Sequence, residues 1–227
     1  DRDDAWVEVR FGFTKWIDDG RQFTFVSERD GWRHVYLVSR DGNMVQRITS
    51  GKYDVIRVLA VDEKNRWLYF IASPDNPAQR FLYRIGLDGK GLKRLSPKNQ
   101  EGSHSYNISP DAQWAVHSFS SFAAPPVSNF IKLAAHKTVR GLESNKGLRE
   151  KLGKLKQPAT EFFRVKIADD VEMDAYAVLP PDLDKSKKYP LLVYVYGEPA
   201  GQTVVDRWGG SGGMWHRMLA QQGYIVM

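Results

Sequence analysis

Cysteine is absent from all 227 positions. That excludes disulfide staples, thiolate metal centres and a thiol nucleophile, and leaves the compartment open. No apolar run approaches the roughly 20 residues that a membrane-spanning helix needs. The opening DRDDAWVEVR, which starts at Asp1 and not at a methionine, is too acidic and polar for a secretory leader. Histidine is scarce: the five, at 34, 104, 117, 136 and 216, show no paired helical spacing of the kind metal sites use. No metal ion and no cofactor are expected.

What is present is the makeup of an ordinary globular protein with a real core: 42% hydrophobic, 26% charged and 12% aromatic residues. At about 150 residues per domain, the length suggests one whole unit and part of another. The net charge of +6 is local. Between Lys132 and Lys156 stand eight basic residues against Glu143 and Glu150, which accounts for the entire excess. No aromatic residue lies between Phe130 and Phe162, so this stretch lacks the stacking platforms of a single-strand binder, and nucleic acid is not an expected partner. Leu148, Leu152 and Leu155 recur at helical spacing within 145–158, where Pro158 ends the pattern. The segment reads as a short connecting helix with a solvated basic face.

Set against itself at an offset of 47, the chain places VYLVSRDGNMVQRIT (Val35 to Thr49) on LYRIGLDGKGLKRLS (Leu82 to Ser96). Each copy is two alternating apolar runs about an Asp-Gly turn, hence a hairpin. Upstream, a turn followed by a strand recurs with Phe23, Trp67 and Trp114 in register, at spacings of 44 and 47. A third hairpin is expected at FIKLAAHKTVRGLES, with His136 and Lys137 in place of Asp-Gly. Repeats of about 40 to 50 residues built from short β-branched and aromatic strands indicate β-propeller blades and not a helical solenoid. About two and a half blades are legible over residues 1–144. A propeller closes with roughly 4 to 8, so the chain reads as an internal piece of a longer one.

After residue 158 the pattern changes. EFFRVKI and MDAYAVLPP read as paired antiparallel strands, LLVYVY as a fully buried strand, RWGGSGG as a loop, MWHRMLAQQ as a helix, and GYIVM as another buried strand. Strand, loop, helix, strand over 159–227 is the opening of a doubly wound α/β domain. The expected fold is therefore mixed: the last blades of a β-propeller, then the start of an α/β-hydrolase domain.

SERDGWRHVYL (Ser27 to Leu37), LPPDLDKSKKYPLLVYVYGEPAGQTV (Leu179 to Val204) and the terminal AQQGYIVM resemble the dipeptidyl peptidase IV branch of the prolyl oligopeptidase superfamily, over nearly the whole chain. The resemblance implies a serine exopeptidase that releases N-terminal dipeptides after a penultimate Pro or Ala. It also implies peptide substrates as partners, a homodimer, and a secreted, periplasmic or membrane-anchored location. It places one catalytic residue here, Tyr196, similar to the tyrosine whose hydroxyl lines the family's oxyanion hole. A phenol leaving a sheet strand can be held rigidly enough to donate to a developing oxyanion. The implied nucleophile, Asp and His follow in α/β-hydrolase order beyond Met227, and the implied acidic pair lies upstream, so neither Glu28 nor any other glutamate is assigned to it. Arg10 and Phe11 match too weakly to be assigned. Gly209-Gly210-Ser211-Gly212-Gly213 satisfies G-x-S-x-G on paper, with His216 close by. The half-polar TVVDRW before it is not the buried strand an elbow follows, so it reads as a loop capping the next helix. His34 reads as a polar residue at a blade edge. The competing readings are a non-catalytic propeller or pseudopeptidase that binds peptides or proteins, and an esterase or acylaminoacyl-type peptidase of the same layout.

Overall fold

The computed structural model of the protein describes residues 4, 7, 14–197 and 201–227. Arg10, Phe11 and the 198–200 stretch of the resemblance motif lie outside the described residues. The chain divides into two compact units: Asp1–Phe119 with Val127–Glu143, and Ser120–Pro126 with Ser144–Met227.

The first unit holds three four-stranded antiparallel sheets in chain order: β1 (Lys15–Ile17) to β4 (Val45–Arg47) through β2 (Gln22–Ser27) and β3 (His34–Ser39); β5 (Val55–Asp62) to β8 (Lys93–Arg94) through β6 (Trp67–Ala72) and β7 (Phe81–Gly86); and β9 (Ser103–Ile108) to β12 (Lys137–Glu143) through β10 (Trp114–Ser120) and β11 (Val127–Lys132). Each is a simple meander. Three four-stranded sheets are found where the repeat made two and a half legible. The missed strands carried little signal: β1 has three residues, and β9, SHSYNI, has no aliphatic run.

Alternation along β6 shows how the sheets stack. Leu68, Phe70 and Ala72 join Val35, Leu37 and Ile48 of the first sheet in one core, while Tyr69 and Ile71 meet Tyr106, Ala115 and Ile131 of the third in another. A strand buried on both faces is apolar throughout, as WLYFIA is. Phe70 is fully buried, and truncating such a side chain to Ala costs about 3–5 kcal/mol.

The repeat is visible at the atomic level. Gly42 and Gly89 take φ of 76° and 80° in the β3–β4 and β7–β8 turns, a region closed to most side chains. In the third copy His136 occupies that region with φ 47°, which histidine tolerates better than most residues. A second correspondence escaped the sequence: Thr49 Oγ1 accepts from Val35 N–H at 2.9 Å and Ser96 Oγ from Leu82 N–H at 2.7 Å. In each case a hydroxyl ends the repeat and closes its third strand.

The second unit contains α1 (Lys146–Leu152), a hairpin of β13 (Thr160–Ala168) and β14 (Val171–Val178), then β15 (Leu191–Leu192), α2 (Gly210–Gln221) and β16 (Ile225–Val226). Its sheet runs β13-β14-β16-β15, with β15 and β16 parallel. The helix expected over 145–158 stops at Leu152 with Gly153 as its C-cap, so Leu155 is exposed and only Leu152 is buried. The fully buried strand expected at LLVYVY is two residues long, and Val193 to Tyr196 are exposed. A strand is buried on both faces only when both are covered. Here α2 is the helix that packs on this sheet, against β14 and β16.

The unit's core is small: Phe122, Val178, Ala220 and Val226. Arg217 of α2 ties the 120–126 loop to it, donating to the Phe122 carbonyl and, at 2.7 Å, to Gln157 Oε1, between the rings of Phe122 and Trp208. Burial holds this guanidinium below its usual range.

Candidate functional site

Tyr196 is the residue to locate first. The parallel ladder of β15 and β16 runs past the assigned strands: Ile225 N–H donates to Pro190 O at 2.9 Å, Met227 N–H to Leu192 O at 2.8 Å, and Tyr194 N–H to Met227 O at 2.6 Å. The backbone is thus anchored up to Tyr194, and Tyr196 follows two residues on in irregular chain, with 52% of its surface exposed.

The Tyr194 ring lies 5.7 Å from the imidazole of His216 on α2. His216 is buried and its Nδ1 lies 3.3 Å from the Tyr176 hydroxyl of β14. Burial pushes Tyr176 up and His216 down, so both are neutral at pH 7. This packing fixes Tyr194, the last laddered residue before the candidate phenol.

The glycine run does not form the loop expected of it. α2 begins at Gly210, with Gly209 as N-cap and no side-chain cap, so Ser211 sits in the first helical turn. β15 ends at Leu192, well before Ser211, which is not the strand-to-helix geometry of a nucleophile elbow. Two of the glycines are required. A Cβ on Gly209 would meet Gly213 Cα at 2.9 Å, and Gly210 has φ +58°. Glu28 is held by Arg33, at 2.8 Å from Nε and 2.5 Å from Nη2. His34 is not at an exposed edge: it is buried, bonded to Thr49 Oγ1 and Gly51 O, each at 3.1 Å.

The residues that sequence reasoning missed are in the third sheet. His104 and His117, with no shared helical spacing, face each other from β9 and β10, Nδ1 to Nε2 at 2.9 Å. His104 Nε2 lies 3.0 Å from the Gln100 carbonyl, and the Tyr106 hydroxyl bridges Ser96 Oγ at 3.0 Å and His136 Nε2 at 2.8 Å. A carbonyl can only accept, so His104 carries its proton on Nε2 and its Nδ1 accepts from His117 Nε2–H. Burial, with its positive neighbours, holds His104 down to about 4 and His117 to about 3. The signal was the strand alternation of His104 with Tyr106 and of Ala115 with His117. Among the described residues no cluster of His, Cys, Asp and Glu has the arrangement to hold a metal ion.

Three stacked four-stranded meanders with recurring turns define the class, a β-propeller-like all-β array. Residues 1–126 match the family described as the dipeptidyl peptidase IV (DPP IV) N-terminal region, and the chain belongs to that family. It is similar to the dipeptidyl peptidase 4 of Trichophyton rubrum, 26% identical over 210 residues that make up 92% of this chain and 27% of that protein. The crystal structure of Porphyromonas gingivalis dipeptidyl peptidase 4 matches with a TM-score of 0.84 at 33% identity, covering 94% of this chain and 29% of that one. The chain spans about a quarter of the length of these relatives.

Proposed function

We propose that this chain is part of a serine-type dipeptidyl peptidase that removes N-terminal dipeptides, preferentially after Pro or Ala, through an acyl-enzyme. In this reading β13 to β16 with α2 are the start of an α/β-hydrolase scaffold, and the nucleophile, Asp and His are supplied by sequence outside these 227 residues. Parallel strands joined through a helix are the unit from which such scaffolds are built.

The observation that carries the reading is the position of Tyr196: exposed, just past the end of a parallel strand, in a chain that belongs to a peptidase family. When a serine oxygen attacks the scissile carbonyl, negative charge moves onto the carbonyl oxygen. The Tyr196 O–H donates to that oxygen more strongly in the tetrahedral species than in the ground state, which lowers the barrier. Removing one such donor costs about 10²–10³ in kcat.

The test is Tyr196→Phe in the longer protein that contains this chain, assayed on Gly-Pro-p-nitroanilide. We expect kcat to fall about 100-fold or more with KM within a few-fold of wild type. Equal kcat for the two proteins overturns the assignment of Tyr196. The 227-residue chain alone should not turn this substrate over, and turnover by it would overturn the placement of the triad elsewhere.

A further inference from the structure

The first unit contains a cleft of about 840 Å³, far from trivial in size and lined by β1, the β5–β6 hairpin, the β9–β10 turn and the β11–β12 turn. That volume lies within the range of small-molecule sites. Its lining combines aromatic surface, Trp67, Tyr69 and Trp114, with three cations, Lys15, Arg84 and Lys132.

These cations are not neutralised by carboxylates. Lys15 Nζ donates to the Val61 carbonyl at 3.3 Å, Arg84 bonds the Tyr69 hydroxyl and stacks over Trp67 at 4.0 Å, and Lys132 sits over Trp114 at 5.6 Å. None of the three forms an ion pair among the described residues. Arg84 Nε is, in addition, buried without a hydrogen-bond partner, a costly state for a charged donor unless something fills it.

Carboxylates do line the cleft, but each is already bound: Asp62 and Asp111 by their own turns, Glu63 by the β1–β2 turn. Asp62 accepts from Asn65 N–H at 3.0 Å and Nδ2 at 2.7 Å, Glu63 from Asp18 N–H at 2.9 Å, and Asp111 from the Ser109 hydroxyl at 2.5 Å and Gln113 N–H at 3.1 Å. Their lone pairs are occupied by turn backbone and by the Asn65 and Ser109 side chains, whereas the three cations touch only carbonyls, phenol and ring faces. A cation on an indole face leaves that ring's remaining surface for an apolar or aromatic group.

We infer that this cleft binds a small organic anion with an aromatic body, its acid group met by Arg84 with Lys15 or Lys132 and its ring packed on Trp67 and Trp114. The site belongs to the first unit and does not rest on the peptidase reading.

The test uses N-benzoylglycine as the probe and its neutral primary amide as the control, followed by the tryptophan indole N–H signals of the ¹⁵N-labelled chain. Saturable movement of the Trp67 signal by the acid, at least tenfold weaker with the amide, is the expected result. Arg84→Met should abolish it. Because Arg84 packs within a strand, Lys132→Gln at the exposed rim is the second variant, expected to weaken binding several-fold while leaving the remaining indole spectrum in place. A Trp67 signal that stays still, or that moves equally with acid and amide, or that moves unchanged in both variants, overturns the inference.

Discussion

His104 and His117 are buried in the third sheet and His136 is half-buried in its β11–β12 turn; all three have lowered proton affinity, and burial is the first cause for each. In the unfolded chain an imidazole titrates near about 6.5. The folded values lie lower, so between the two the unfolded state binds more protons and stability rises with pH. The contribution is whole above about pH 6.5 and is lost as pH falls toward 4 and below. His104 and His117, which titrate across that window only when unfolded, each cost up to about 1.4 kcal/mol per pH unit there. Urea midpoints of the chain should therefore drop steadily from pH 7 to pH 4.5. His117→Gln, which keeps a polar group but cannot ionise, should flatten part of the slope at the expense of overall stability. A midpoint independent of pH over that range would show that these rings reach solvent without unfolding. Alternation in the sequence places His104 with Tyr106 and His117 with Ala115 on shared strand faces, but not the meeting of the two faces, which depends on the register of β9 on β10 and the left-handed turn at His136.

The hairpins are legible in local sequence and the second unit less so, for a physical reason. Asp41-Gly42 and Asp88-Gly89 signal their turns within a few residues, whereas the extents of α1, α2 and β15 depend on what packs on them. Leu155 had the spacing for α1 and no surface to bury against, so the helix ends at Gly153. The glycine run reads as a loop, but residues 210–213 are helical because α2 has Ala220 in the small core with Arg217 buried beside it, and its first turn follows. Within that turn the glycines differ. Gly209→Ala drives a methyl onto Gly213 Cα, and Gly210→Ala forces a left-handed residue, whereas Gly212 has open space around it. The first two substitutions should each destabilise α2, by about 1 kcal/mol or more. Gly212→Ala should stabilise it by roughly the Gly-to-Ala helix difference of about 1 kcal/mol. Hydrogen exchange of the α2 amides reads both directions, and equal protection in all three variants would contradict the role given to the turn.

Taken whole, the chain distributes its apolar surface unevenly. In the first unit the middle sheet is covered on both faces. In the second, Phe162, Ile167, Val171 and Met173 of the β13–β14 hairpin, with Leu191, Val193 and Val195, are exposed, Val195 at 74%. Apolar area on that scale is unusual for a chain that stays monomeric, and a hairpin with free edges adds unpaired backbone donors and acceptors. Arg164, bonded to Asp174 at 2.9 Å and Glu172 at 3.2 Å, puts an ion-pair cluster on the hairpin, but exposed pairs of this kind contribute little. The purified chain should accordingly self-associate through its second unit, with a sedimentation coefficient that rises with protein concentration. The association should persist in high salt, since burial of apolar groups is not screened and charge pairing is. Ile167→Lys with Met173→Lys places two charges on the hairpin and should shift the chain toward monomer without altering the near-ultraviolet signal of the tryptophans in the first unit. A double variant that associates as strongly as the parent would locate the sticky surface elsewhere, among the open strands of the first unit, where β12 is exposed along its whole length.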